Sequence, residues 1–389
     1  MQLLEDPLNL ALETKQKIEN FRVHLPLIHA ICNKGLKARH WAEMVGAVGI
    51  EIRPDEMRLG QLIKKLEECE VPDPVGRLVA ISERASREFT IEKQLGKMKG
   101  DWEGLSLELA EYDRTGTYIL KGGPVDEAQA LLDDHIIKVQ AMGTSPFAKP
   151  HMREIGPWES LLTRLQSILE EWLKCQGRWM YLQPIFGSEE IVRQIPTEGM
   201  AFRDMDAIWR GVMDRTVQDP LLTHVADMDG LLDSLTHANE LLDVVEKGLN
   251  EFLETKKMAF PRFYFLSNDQ LLEILSECKD PLKIQDFTQK IFEAVARFKF
   301  HANGDITGMV SVEEERIPWI EPVSPGKVGA VEAWLTKCEE VIYQTVHKMA
   351  RDAIEDFPNK ERSTWILQWP GQLVLNCGQV FWTKEVRGD

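Results

Sequence analysis

Residues 260–281 read FPRFYFLSNDQLLEILSECKDP, an aromatic run joined to a capped helix, and the chain is best understood outward from this stretch. Phe260, Phe263, Tyr264, Phe265 and Leu266 form an apolar run too short for a globular helix. An extended segment or short strand is expected, with Pro261 holding it to a sheet edge. Ser267 stands where a helix N-cap belongs, and Gln270 can reach back to it, the capping-box spacing that precedes Leu271, Leu272, Ile274 and Leu275. Asp280-Pro281 repeats the logic, with an aspartate cap and proline at the first helical position.

Elsewhere the apolar period is almost everywhere helical. Leu161, Leu162, Leu165, Ile168, Leu169, Trp172 and Leu173 share one face, as do Leu231, Leu232, Leu235, Leu241, Leu242, Val245, Leu249 and Phe252. A third stripe, including Val331, Trp334, Leu335, Cys338, Val341 and Thr345, predicts a helix from Val328 to Ile354. Breaks are expected at Gly116 and Gly122-Gly123-Pro124, and at Gly143-Thr144-Ser145-Pro146 with Pro150 and Pro157. Two more fall across Pro184, Gly187 and Pro196, and at Pro318, Pro322 and Pro325. Asn303-Gly304 offers a type I′ turn between Phe298/Phe300 and Ile306/Met309/Val310, predicting a small hairpin. No solenoid-length repeat is evident, so the fold expected is mainly α, built of irregularly stacked bundles.

With 389 residues the chain exceeds what one hydrophobic core usually serves. Its 63 acidic against 46 basic residues give a net charge of −17, which argues against nucleic acid as a partner, since phosphate binding needs concentrated positive charge. No apolar stretch approaches the roughly 20 residues that span a bilayer, so no membrane partner is expected. The opening MQLLEDPLNLALETKQK lacks a basic region followed by an apolar one, and no secretory leader is expected. Cys32, Cys69, Cys175, Cys278, Cys338 and Cys377 are scattered, without a C-x-x-C pair or histidine at metal spacing. Reduced, mostly buried thiols in a cytoplasmic protein are expected, with no metal site.

No catalytic, cofactor-binding or metal residue is expected, since the chain carries no complete catalytic motif. Ser324-Pro325-Gly326-Lys327-Val328 is the nearest approach to a phosphate-binding loop, but Glu321 replaces its first glycine and Val328 its hydroxyl. It reads as a loop before a helix. His151 with Glu154 reads as an isolated surface pair, and His40, between Arg39 and Trp41, as part of a packed structural cluster. Trp172, Trp179, Trp209, Trp319, Trp334, Trp365, Trp369 and Trp382 read for the most part as packing anchors.

Four blocks, in order and along almost the whole chain, together resemble the linker of dynein heavy chains. They are Leu25-Pro26-Leu27 with Lys37-Ala38-Arg39-His40-Trp41; Trp179-Met180-Tyr181-Leu182-Gln183-Pro184-Ile185-Phe186; Phe260-Pro261-Arg262-Phe263 with Ser267-Asn268-Asp269; and Trp369-Pro370-Gly371-Gln372 with Phe381-Trp382-Thr383. Gln183 departs from the acidic residue that relatives often carry there. The form SNDQLLEILSECKDP looks more like the axonemal heavy chains than the cytoplasmic ones.

The resemblance implies an elongated, arched rod with a short β element near 260–312. Its expected parts are N-terminal bundles over 1–120, a middle segment over 121–186, a second-half bundle over 187–325, and a C-terminal segment over 326–389 leading toward the first AAA+ module. It implies a lever that bends and straightens across an AAA+ ring of the same heavy chain. ATP and magnesium belong to that ring, none to this segment, and the full heavy chain is expected to be a microtubule-motor ATPase. Other dynein subunits are implied partners, the microtubule only an indirect one, since the chain's acidity disfavours contact with an acidic track. The implied location is the cytoskeleton of a cilium or flagellum. Gly177, Tyr181, Pro184, Gly187 and Pro196 are the candidate hinge residues. The alternative is a static helical scaffold or interaction module without a power stroke.

Overall fold

Helix dominates the chain, as the periodicity predicts. A computed structural model describes residues 5–52, 57–113, 115–276 and 280–388, so Cys278, one of the six thiols expected to be reduced and mostly buried, lies outside the described residues. In chain order the elements are α1 (Glu5–Arg22), α2 (Leu25–Ile31), α3 (Ala38–Val48), α4 (Leu59–Glu67), α5 (Pro74–Asp101), β1 (Leu109–Glu111), β2 (Tyr118–Leu120), α6 (Gly122–Gly143) and α7 (Met152–Phe186). There follow α8 (Glu189–Gln194), α9 (Pro196–Gln218), α10 (Leu222–Asp227), α11 (Leu231–Ala259), α12 (Asn268–Ser276) and α13 (Gln285–Ile291). The chain ends with β3 (Val295–Phe300), β4 (Ile306–Ser311), β5 (Arg316–Val323), α14 (Pro325–Val328), α15 (Val331–Asp356), α16 (Arg362–Ile366) and α17 (Gly371–Arg387). Two compact units result, Met1–Leu173 with Arg210–Ser234, and Lys174–Trp209 with Leu235–Asp389.

In the first unit α5 is the spine. Asp73 caps it by accepting from the Gly76 N–H, and Pro74 sits at its start. Helices α2 and α3 pack on it around Leu27, Met44, Val48, Leu62, Leu66, Leu78 and Ile81. Gly35 lets the backbone come close, since a Cβ there would lie 2.7 Å from the Ala85 carbonyl oxygen. The hairpin β1–β2, pairing Leu109 with Leu120 around Gly116 (φ +70°), is too short to leave a sequence signal. Pro157, expected to mark a break, lies inside α7, whose Ile155, Leu162, Leu165, Ile168, Leu169 and Trp172 are buried.

The second unit corrects the reading of 260–266. Pro261–Phe265 is a 3-10 helix, not an extended segment. Its three-residue turn puts side chains at i and i+3 on the same side, where a strand would set Phe260 and Phe263 on opposite faces. Both are buried, with ring centroids 5.0 Å apart. From Phe260 an aromatic chain continues through Phe292 (6.2 Å) and Phe298 (5.6 Å) to Trp319 (5.6 Å), which joins this turn to the sheet.

That sheet has three antiparallel strands in the order β3-β4-β5, one more than the expected hairpin. Only Gly304 (φ +85°) in the β3–β4 connection is left-handed, so the turn is not type I′, which would require Asn303 to be so too. Instead the Gly304 N–H donates to the His301 carbonyl and the His301 N–H to Asp305, closing a five-residue loop. Pro318 and Pro322, expected to mark a break, lie in edge strand β5, where prolines are tolerated. The Ile320 N–H between them donates to Thr345 Oγ1 on α15 (3.2 Å). Helix α15 starts at Val331, three residues later than expected, because Gly329 (φ +91°) breaks the chain before it. Ala353 and Phe357 join Trp365 and Cys377 in a small separate cluster, with Trp369, Val374 and Phe381 packed against it.

Candidate functional site

The block at 179–186 closes α7, and its neighbouring side chains leave the helix toward three others of the second unit. Arg178 reaches α11, donating from Nε to Glu246 Oε1 (2.7 Å), from Nη2 to Asp243 Oδ1 (2.7 Å) and from Nη1 to the Asn239 carbonyl (3.1 Å). Trp179, fully buried, stacks on Trp209 (centroids 5.4 Å apart) and donates Nε1–H to Asp206 Oδ1 on α9 (2.8 Å). The Tyr181 hydroxyl donates to Asp269 Oδ1 on α12 (2.8 Å). Phe186 stacks on Phe202 of α9 at 5.0 Å.

Electrostatics favour the first of these ties. Burial works to lower the Arg178 guanidinium, but hydrogen bonds to Glu246 and Asp243 outweigh it and hold it above its ordinary value. Burial, then the hydrogen bond to Asp269, pushes the Tyr181 phenol up to about 12.

Of the candidate hinge residues, Gly177, Tyr181 and Pro184 lie within α7, Gly187 just past its end and Pro196 at the start of α9. The Gly187 N–H donates to the Gln183 carbonyl (2.9 Å), closing the helix. Tyr181 and Pro184 line a cleft of about 400 Å³ with Met180, Ile185, Ile191 and Leu272. Gly177 and Pro196 are not among its lining residues.

Arg39-His40-Trp41 opens α3 in the first unit. The Lys37 N–H donates to His40 Nδ1 (3.1 Å), so Nε2 carries the proton and donates to Glu88 Oε2 on α5 (2.8 Å). Arg39 Nη2 donates to the same oxygen at 2.6 Å, and Arg84 pairs with Glu43 beside it. Burial works to raise the Glu88 carboxyl, but hydrogen bonds from Arg39 and His40 hold it below the usual carboxylate range. Trp41 packs, partly buried, on the α2–α5 core. This is the packed cluster expected of His40.

The remaining blocks are fastened similarly. Arg262 donates to Glu339 Oε1 (2.6 Å) and to the Ile291 carbonyl, with its guanidinium over the Phe292 ring. Ser267 and Gln270 form the expected capping box, each side-chain oxygen accepting the other's N–H at 3.2 Å. Asn268 accepts from Lys257 Nζ, and Asp280 caps the 3-10 turn at Pro281. Pro370 is the N-cap of α17, with Gly371 and Gln372 in its first turn. The Gly371 N–H donates to Glu315 Oε1 (2.7 Å).

Six of the eight singled-out tryptophans are buried, whereas Trp369 is partly so and Trp382 is 66% exposed. Trp102, outside that set of eight, is also buried, and its Nε1–H donates to His135 Nδ1 (2.9 Å). His151 is buried, not on the surface, while Glu154 pairs with Lys99. Ser324 to Val328 forms the N-cap and single turn of α14. Among the described residues no group of three or more His, Cys, Asp or Glu could hold a metal ion, and no helix is long and apolar enough to cross a membrane. Arg178, Asp206 and Glu315 escaped the sequence reading, because each acts through a partner far away in the chain.

The family model described as "Dynein heavy chain, N-terminal region 2" matches residues 2–353. Dynein axonemal heavy chain 3 of Mus musculus is 42% identical over 381 residues, 98% of this chain and 9% of that protein. Dynein axonemal heavy chain 12 of Homo sapiens is 43% identical over 353 residues, 90% of this chain and 11% of that one. Dynein axonemal heavy chain 1 of Mus musculus is 41% identical over 376 residues, 97% and 9% respectively. The chain thus spans between 9% and 11% of the length of these relatives.

Proposed function

Because this chain belongs to the dynein heavy chain family, with axonemal members among its relatives, we propose that it is the linker of an axonemal motor, a lever bending and straightening across an AAA+ ring. In this reading ATP and magnesium act in ring modules elsewhere in the same heavy chain. The linker touches that ring, other dynein subunits complete the assembly, and the microtubule is engaged by another part. The work is done in the cytoskeleton of a cilium or flagellum.

The observation that carries the reading is the end of α7. A lever transmits force only through parts that do not yield, and here Arg178, Trp179 and Tyr181 tie one helix to α11, α9 and α12. Such packing moves between discrete arrangements and does not deform continuously. The joint is proposed at the short non-helical links beside it, Gly187-Ser188 and Ile195, which flank α8 and lead into Pro196. Gly177, Tyr181 and Pro184 then act as the fixed side of that joint.

The test is a distance distribution between labels at Glu43 and Asp352 in a heavy chain that includes the ring, with and without ATP and vanadate. A nucleotide-dependent shift supports the lever. An unchanged distribution in an ATPase-competent protein sinks it and leaves a static scaffold.

A further inference from the structure

Helix α17 begins without a cap of its own. Pro370 at the N-cap offers no side-chain acceptor, and the Gly371 N–H is answered by Glu315, 56 positions earlier. A carboxylate there satisfies an orphan donor and meets the positive end of the helix dipole. Glu315 is itself held firmly in the turn between β4 and β5. Its N–H donates to Ser311 Oγ (3.2 Å), its carbonyl accepts from the Ser311 N–H (3.0 Å), and neighbouring Glu314 takes two hydrogen bonds from Arg297 on β3 (3.0 and 2.6 Å). From α17, Cys377 belongs to the small cluster with Ala353, Phe357 and Trp365, and Val374 and Phe381 pack against it. Glu315 is therefore a polar tie from the head of α17 directly to the sheet.

We propose that Glu315 is a positioning residue: by holding the Gly371 N–H it fixes the direction of α17, so that load on this helix passes into the β3-β4-β5 sheet without a swivel at Pro370. This rests on the lever reading.

Two variants break the bond from opposite ends. E315A removes the acceptor. G371P removes the donor but keeps the helix start, because proline suits the first helical position and Pro370, at ψ 147°, already has the extended backbone required before a proline. In this chain, amide exchange over residues 374–377, the first amides bonded within α17, should quicken by about fivefold in either variant, the effect of losing a typical cap. The double variant should exchange no faster than either single, since both remove one bond. Unchanged exchange, or additive effects, overturns the cap.

In the full heavy chain both variants should slow microtubule gliding while ATP turnover stays at the parent's rate, a separation that simple loss of fold does not produce. Faster exchange with unchanged gliding overturns the positioning role. If labels at Glu43 and Asp352 in the parent ignore nucleotide, the lever reading fails and the positioning role with it, whereas the exchange result still decides the cap.

Discussion

Tyr181 and Asp269, 88 positions apart, meet through a 2.8 Å hydrogen bond that joins the aromatic block closing α7 to the capped helix after the FPRFYF turn. The phenol is pushed up to about 12, first by burial and then by this bond, from an ordinary value of 10. The folded state thus favours the neutral phenol, and the stability this confers is complete below pH 10 and lost as pH rises toward 12. Y181F should cost about 0.5 kcal/mol at neutral pH, the low end for a hydrogen bond because Tyr181 is 46% exposed. Denaturant unfolding across the alkaline range should show a shallower decline in Y181F than in the parent. Equal slopes would rule this out.

His135 gives the opposite dependence. Burial lowers its imidazole, with Lys138 and Lys97 adding to the effect and Asp134 and Asp101 opposing it. The unfolded chain therefore takes up the proton first, so stability should fall as pH drops below about 6.5 and level off beneath the folded value. H135N keeps an acceptor for the Trp102 indole but cannot titrate. It should flatten the part of the decline between neutral and mildly acidic pH, and a decline identical to the parent's refutes the assignment.

Glu88 and Arg39 share a bond but not a fate. Arg39 is 44% exposed, so R39A should cost below about 1 kcal/mol. Glu88 is only 8% exposed and is the acceptor for buried His40 Nε2–H, so E88A should cost about 2–4 kcal/mol. Because the Glu88 carboxyl lies below its ordinary value, its contribution is present above that value and lost as pH falls through the folded one. Urea titrations of the two variants at neutral pH would contradict this ordering if R39A proved the costlier.

Two glycines should respond in opposite directions to alanine. At Gly46, inside α3, nothing lies within 4 Å of the new Cβ, so G46A should stabilise by about 0.5–1 kcal/mol through helix propensity. At Gly308 the Cβ would sit 2.7 Å from the Ile317 carbonyl oxygen, a backbone atom that cannot step aside. G308A should destabilise by about 1–3 kcal/mol. Thermal melts of both variants decide the matter, and a stabilised G308A would show that the sheet gives way there.

What could be read from the sequence was what depends on neighbours along the chain. The capping box at Ser267 and Gln270 needed only their spacing, and the stripes of α7, α11 and α15 only the helical period. The FPRFYF turn was misread because a short apolar run does not reveal whether its rings must share a side, and the aromatic path through Phe292 and Phe298 requires that they do. Pro318 and Pro322 looked like a break because nothing local reveals that a strand is an edge. The acidic face of α11 that binds Arg178, with Asn239, Asp243 and Glu246, is visible as a helical pattern, but its partner lies 61 to 68 positions away. Glu315 is hidden for the same reason.

The prolines of β5 also bear on what this protein does in a crowd of its own copies. A sheet ends safely only if its last strand cannot recruit another. Along β5, positions 318 and 322 have no N–H to offer, and that of Ile320 is already taken by Thr345. An arriving strand would find no donor at 318 or 322 and that of Ile320 engaged, on a strand whose register with β4 is already irregular between Pro318 and Val323. At high local concentration, where many identical chains stand side by side, this edge resists growing into a shared sheet.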